Sequence, residues 1–540
     1  MPRGARTAAT PADAARSRRG GRGALPALAL LALAGCTVGP DFTTPPAEVA
    51  ATWVEASDPR VKASQPVNER WWQAFNDPLL NQLVELAYAN NQTLEIAGVR
   101  VLQARAALGE RSGEFYPQQQ GAQGGLTTQR RADPTGRAQP FLGGAYEAIS
   151  FGLATNWEID FWGKYRRAIE SADGNLLAAI SAYDDAVVTL VADVATVYVN
   201  IRVLQRRIEI AEENVRSQRG SLGIANSRFS NGETSALDVA QAQATLAETQ
   251  AQIPQFQSDL AQAKYSLALL LGLPPDRVEA LLAPGPIPTA PAEVAVGIPV
   301  DLLRRRPDVR EAEYAAAAQS ALIGVAEANL YPAFSLSGSF GFASSNLGSA
   351  SLGDAFSWSS HTYSFGPAVS FPFLNYGQLS NEVRQQDAAF QAAILNYQFT
   401  VLQAQQEVES GLATFLQGQE VVERYRRAVR AARRTTDLSF VQYRDGSSLY
   451  TNVLNAQQSQ LRVEDTLAVA EGNVPLGLIA TYRALGGGWE LRAGGDFVSD
   501  ETKREMGTRT DWGDLLEPEQ QQAPEPEAED DDGWFPSIDW

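Results

Sequence analysis

The sequence predicts a mainly α-helical protein that also supplies strands to a membrane β-barrel, organised as two copies of one half. Three observations point there. Two long segments carry apolar residues in alternating steps of four and three, the seam of a coiled coil. Three segments of about ten residues alternate apolar with small or polar side chains, as strands with one face in lipid do, and a fourth, weaker one is read as a strand mostly because its repeat partner is one. The two halves of the chain match each other at a displacement of 214 positions (Tyr183 on Tyr397, Gly232 on Gly446).

The chain opens with Arg16, Arg18, Arg19 and Arg22 ahead of an apolar stretch from Ala24 to Ala34. At about 11 residues this stretch falls short of the roughly 20 that a spanning helix needs. Its basic, apolar, small-residue order is that of a secretory signal. It ends in Leu33-Ala34-Gly35-Cys36, which matches the bacterial lipobox. Residues 1–35 therefore read as a lipoprotein signal peptide, and Cys36, the one cysteine, as the lipidated residue. Thr37 in place of an aspartate agrees with transport to the outer membrane. Residues 36–75 follow as an extended segment. Beyond Cys36 no window of 18 uninterrupted apolar residues occurs, so no transmembrane helix is expected. Any deeper membrane entry requires strands in a closed barrel.

The first repeat is placed at 76–290. A helix is expected over 79–109, then strands in "QQQGAQGGLTTQ" and "EAISFGLATNWEI", where Ile149, Phe151, Leu153, Trp157 and Ile159 share a face. From Lys164 to Phe229 there is no proline, and Tyr183, Val187, Leu190, Val194, Val197, Ile201, Leu204 and Ile208 mark the heptad seam. Such a helix is about 100 Å long at about 1.5 Å per residue. It turns at "NGET" into a returning helix over 234–272.

The second repeat, 291–490, has the same order: a helix at 308–330, strands in "FSLSGSFGF" and "YSFGPAVSFPF", and a seam through Phe390, Ile394, Tyr397, Val401, Ala404, Val408 and Phe415. It turns at "DGSS" into a return over 448–484. Pro254 and Pro475 are expected to kink or divide the returns. Residues 491–540 read as an acidic tail, rich in Pro, Glu and Gln towards its end and expected to be disordered. Small membrane barrels begin at about 8 strands, so several copies must share one barrel.

Composition removes several function classes. One cysteine excludes an intramolecular disulfide, and one histidine, His361, leaves almost no raw material for a His-based zinc site or a Ser-His-Asp triad. Met1 and Met506 are the only methionines, too few for a copper path. A net charge of −19 argues against a nucleic-acid partner. No catalytic residue, cofactor or metal is expected, apart from the covalent lipid on Cys36.

Several long motifs are similar to one family. "CTVGPDFTTPPAEV", "RWWQAFNDPLLNQLVELAYANNQTLEIA", "NWEIDFWGKYRRAIESA", "GIPVDLLRRRPDVREAE" and "YRALGGGW" resemble the TolC/OprM-type outer-membrane efflux factors, in the lipoprotein, NodT-like branch of resistance-nodulation-division systems. The resemblance spans about 36–489. It implies a homotrimer whose twelve strands form one barrel, set in outer-membrane lipid above a periplasmic α-barrel. It also implies a periplasmic adaptor and an inner-membrane efflux transporter as partners. The function implied is passive conduction of drugs or other small molecules out of the cell. A type I secretion or heavy-metal efflux channel is the alternative, and a periplasmic enzyme or adhesin the distant one.

In that family the helix turns close the periplasmic end. They fall here at Ser230 to Asp238 and Arg444 to Asn455, which makes Gly232, Ala236, Leu237, Gly446 and Leu449 the expected adaptor-contact tips. Gate residues by the same carry-over are Tyr443, Arg444, Asp238, Asn452 and Asn455. Many relatives have carboxylates where Asn452 and Asn455 stand. Asp238 is therefore expected to form the remaining acidic ring and to account for weak cation binding at the entrance.

Overall fold

The computed structural model describes residues 37–62, 69–131, 144–297, 305–346, 351–492 and 495–517. The Asp77 carboxylate accepts from the N–H groups of Leu79 and Leu80 and starts α1 (Pro78–Asn90). Asn91 accepts from Leu94 N–H and starts α2 (Gln92–Gly113). The one helix expected over 79–109 is thus two, because Asn91 offers the backbone a cap inside a continuous apolar pattern. β1 (Gln119–Arg131) and β2 (Gly144–Ile159) follow, then α3 (Lys164–Ser230), α4 (Ala236–Leu270) and the short α5 (Pro275–Leu281). The second half runs α6 (Pro307–Ala328), β3 (Ala333–Ser345), β4 (His361–Ser370), α7 (Gln378–Arg444) and α8 (Tyr450–Ala484).

The long helices recur at one displacement. α3 and α7 have 67 residues each and α4 and α8 have 35, with every boundary 214 positions apart (164 to 378, 236 to 450). Gly163 and Gly377 stand before the long helices at φ 79° and 83°, a left-handed turn from strand to helix that favours glycine. α4 and α8 continue through Pro254 and Pro475 without dividing. Each proline removes one helical hydrogen bond, which packing against the neighbouring helices offsets.

The strands form one antiparallel sheet in the order β1-β2-β3-β4. Gly152 lies opposite Gly341, and a Cβ on either would sit 2.6 Å from a backbone oxygen of the facing strand. Phe151 stacks on Phe342 beside this close approach, with ring centroids 5.5 Å apart. Leu126, Leu153, Tyr363, Phe365 and Val369 are all exposed on the sheet. β1 and β4 are open edges.

The heptad residues of α3 meet α8, α1 and the Trp71–Phe75 turn in the main core. Trp71 stacks on Tyr482 at 5.6 Å and donates from its indole to the Gly487 oxygen at 3.1 Å. Tyr198 donates to the Asp77 carboxylate at 2.6 Å, fixing α1 against α3. α3 holds a stretch long and apolar enough, by length and composition, to cross a bilayer, but it is interrupted by charge and 61% of it is buried in this helical core. The N-terminal segment descends alongside α7. Val38 N–H donates to the Trp162 oxygen, Val54 N–H to Glu409, and Arg60 to the Leu416 oxygen. It ends in a parallel pair, Val61–Lys62 with Val294–Ala295, too short for any sequence pattern to announce.

The tail differs from expectation. Residues 495–517 are structured and include α9 (Asp500–Arg509), capped by Ser499. Phe497 is buried edge-on to Tyr183, and Val498 and Met506 pack on Leu102 of α2. The acidic composition concealed these apolar residues, which Trp512 and Leu516 join in the packing and the Ser499–Glu95 hydrogen bonds reinforce; 518–540 lies outside the described residues. At Gly98 an added Cβ would fall 1.9 Å from the Phe497 oxygen. Gly98→Ala should therefore weaken docking of 495–517 by about 1–3 kcal/mol. Limited proteolysis should show new cleavage there in the variant, and equal resistance in both proteins would contradict this packing.

The helix-tip candidate gate

Both long helices end in the same backbone device. Gly232 and Gly446 adopt φ 78° and 77°, and the N–H groups of Glu233 and Ser447 donate back to the oxygens of Arg228 and Gln442 at 2.9 Å. This pairing satisfies the last carbonyls of α3 and α7 and reverses the chain sharply. Gly232, Ala236 and Gly446 lie exposed at these ends, and Leu237 and Leu449 are 62% and 73% exposed. A lone turn leucine usually packs inward; these do not.

Behind the tips the two hairpins meet in a small cluster of Ala225, Ala242, Tyr443, Tyr450 and Val453. Tyr443 is its centre. Its ring meets Tyr450 edge-on at 5.2 Å, and the Arg228 guanidinium lies 4.7 Å from its centroid. Arg228 also donates to the Tyr443 backbone oxygen and lies 3.4 Å from the Glu233 carboxylate. The Tyr443 hydroxyl donates to Asp238 Oδ2 at 3.2 Å, and Thr234 donates to the same oxygen. One side chain of α7 thus bridges the end of α3 and the start of α4. Burial, reinforced by the Asp238 charge, raises the Tyr443 phenol, and burial pushes Tyr450 up to about 12. Both stay protonated donors at neutral pH.

The other expected gate residues separate from this group. Asn452 is exposed and donates to Ser448 at 2.9 Å. Asn455 is exposed one turn further on, and Arg444 pairs at the surface with Asp445 at 3.3 Å. Asp238 is half-buried and accepts from two hydroxyls. Arg228 and Thr234 were not anticipated. Neither carried a clear signal: the capping-box spacing in "TSALD" points to Ser235 and Asp238 instead, and the Tyr443 partner of Arg228 is 215 positions away.

Cys36 lies outside the described residues. Its neighbour Thr37 packs against Gly163, where an added Cβ would fall 2.2 Å from the threonine methyl, so the chain emerges beside the strand-to-helix junction. Among the described residues no group of three His, Cys, Asp or Glu is placed to hold a metal ion.

The family model described as outer membrane efflux protein matches twice, over residues 83–273 and 298–487. Nodulation protein T of Rhizobium leguminosarum bv. trifolii is 31% identical over 448 residues, covering 81% of this chain and 91% of that one. Toluene efflux pump outer membrane protein TtgC of Pseudomonas putida is 30% identical over 470 residues, covering 86% and 94%. The solved outer-membrane channel OprN superposes with a TM-score of 0.78 at 32% identity, over 84% of this chain and all of that one. Long paired helices under an open sheet, closed at glycine turns, are the framework of such channels. The chain belongs to the outer membrane efflux protein family and is an outer-membrane efflux channel.

Proposed function

We propose that three copies close their four-stranded sheets into one twelve-stranded barrel and pass drugs or other small molecules outward, without chemistry on them. The observation that carries this reading is the sheet itself, which has lipid-suited aromatics on its strands and two open edges. Unpaired edge groups in hydrocarbon cost several kcal/mol each. Copies of the same sheet are the partner that satisfies both edges. The helices support it: Tyr265 and Leu269 of α4 and Leu395, Phe399 and Leu402 of α7 are each more than half exposed in the single chain. Native mass measurement in mild detergent should give three chains, and a stable single chain would refute the shared barrel.

The lipid on Cys36 would sit at the membrane face, since Thr37 is held at the foot of the sheet. Cys36→Ser should abolish palmitate incorporation while the barrel still inserts. Label entering the variant would contradict the assignment.

The exposed tips would meet a periplasmic adaptor, which links the channel to an inner-membrane transporter that supplies the driving force. Tyr443 and Asp238 would act as a latch holding the second hairpin against the first. Each such hydrogen bond is worth about 1 kcal/mol, so losing it shifts a closed–open balance about five-fold. Tyr443→Phe and Asp238→Asn should each raise conductance in planar bilayers accordingly. Unchanged conductance in both would remove the latch from the account.

A further inference from the structure

A second set of ties joins the hairpins well above the tips. Asn214 lies 16 positions before the end of α3, about 24 Å along the helix. Two turns further from the tip, Arg207 of α3 donates to both oxygens of Asp465 of α8, at 2.6 and 3.1 Å. The Arg207 guanidinium also lies 4.2 Å from the ring centroid of Phe256 on α4. Next to Asp465, Glu464 is only 3% exposed. It accepts from Asn214 of α3 at 3.0 Å, from Arg433 of α7 at 2.6 Å and from Gln460 at 3.1 Å. All four long helices contribute to this one node.

Between node and tips the contact is polar and incompletely bonded. Gln457 donates to Ser221 at 2.8 Å and to Ser217 at 3.3 Å. Its own oxygen, and both polar atoms of the buried Gln218 side chain, have no hydrogen-bond partner among the described residues. Unsatisfied buried amides contribute less than bonded ones, so this layer, held by the Gln457 bonds and the buried Val215, ties the hairpins less firmly than the node. A buried carboxylate whose partners are removed is strongly destabilising. The node therefore fixes how α7 and α8 sit on α3 and α4.

We infer that Arg207, Asn214, Arg433, Glu464 and Asp465 form a second lock on the passage, which must rearrange before the periplasmic end can widen. Resting on the proposed conduction and tip latch, the inference makes these positioning residues: they touch no transported molecule and act through the separation of the hairpins. The weak layer below them is where that separation takes place.

The test uses the full-length protein in planar bilayers. Glu464→Gln with Asp465→Asn keeps shape and removes charge; conductance should rise at least five-fold with the tip latch intact. The exchange Arg207→Asp with Asp465→Arg should return part of that rise, which a merely structural role would not do. Ser217→Cys with Gln457→Cys supplies a staple across the weak layer, placed in the Asp238→Asn background. Oxidation should bring conductance down to the wild-type level and a reductant should raise it again, an arm that stands even where the charge variants fail to fold. Raised conductance that persists in the oxidised staple, or charge variants that assemble normally and conduct as wild type, would overturn the second lock. An Asp238→Asn or Tyr443→Phe channel that still opens alongside such variants would leave the proposed function standing.

Discussion

A sheet with two bare edges cannot rest in hydrocarbon, and the architecture of this chain follows from that constraint. β2 and β3 are paired on both sides, whereas β1 and β4 each have one neighbour. Backbone groups in lipid must be bonded within the protein. The edges call for a partner strand on each side; in the proposed assembly copies of the same sheet supply it and would bring their long helices together beneath it. α3 and α7 are of equal length at a constant displacement, so in such an assembly both tips of every copy would lie in one ring.

Energy is distributed unevenly along the helical wall. Its upper part is held by a large apolar core in which Trp71, Tyr198, Leu412 and Phe415 are fully buried. Its lower part mixes fewer buried apolar residues, Ile210, Ala211, Val215 and Val429, with amides, hydroxyls and the buried Glu464 carboxylate, before the tyrosine cluster at the tips. Hydrophobic burial is non-directional and resists separation over its whole area. Polar contacts act at points, and points can be released.

Much of this was legible in the sequence. The heptad seam from Tyr183 to Ile208 located α3, and glycines in "NGET" and "DGSS" located both tips, because periodicity and turn chemistry are local properties. Less local features were hidden. Asn91 divides a helix that the apolar pattern runs straight through, and Phe497, Val498 and Met506 dock a tail whose charge suggested none would. Asp238 was visible as a carboxylate near the tip, but its engagement by Tyr443, 205 positions away, was not. The node of Arg207, Glu464 and Asp465 was equally silent, since charged residues on a long helix ordinarily face solvent.

The central claim is that β4 of one copy pairs with β1 of the next. Disulfide trapping in intact outer membranes tests it most directly. One cysteine is placed at Leu126 on β1, and a second is moved residue by residue from His361 to Ser370 on β4. A shared barrel predicts covalent dimers and trimers at alternate β4 positions that face Leu126 across the junction. Single chains at every position would contradict it.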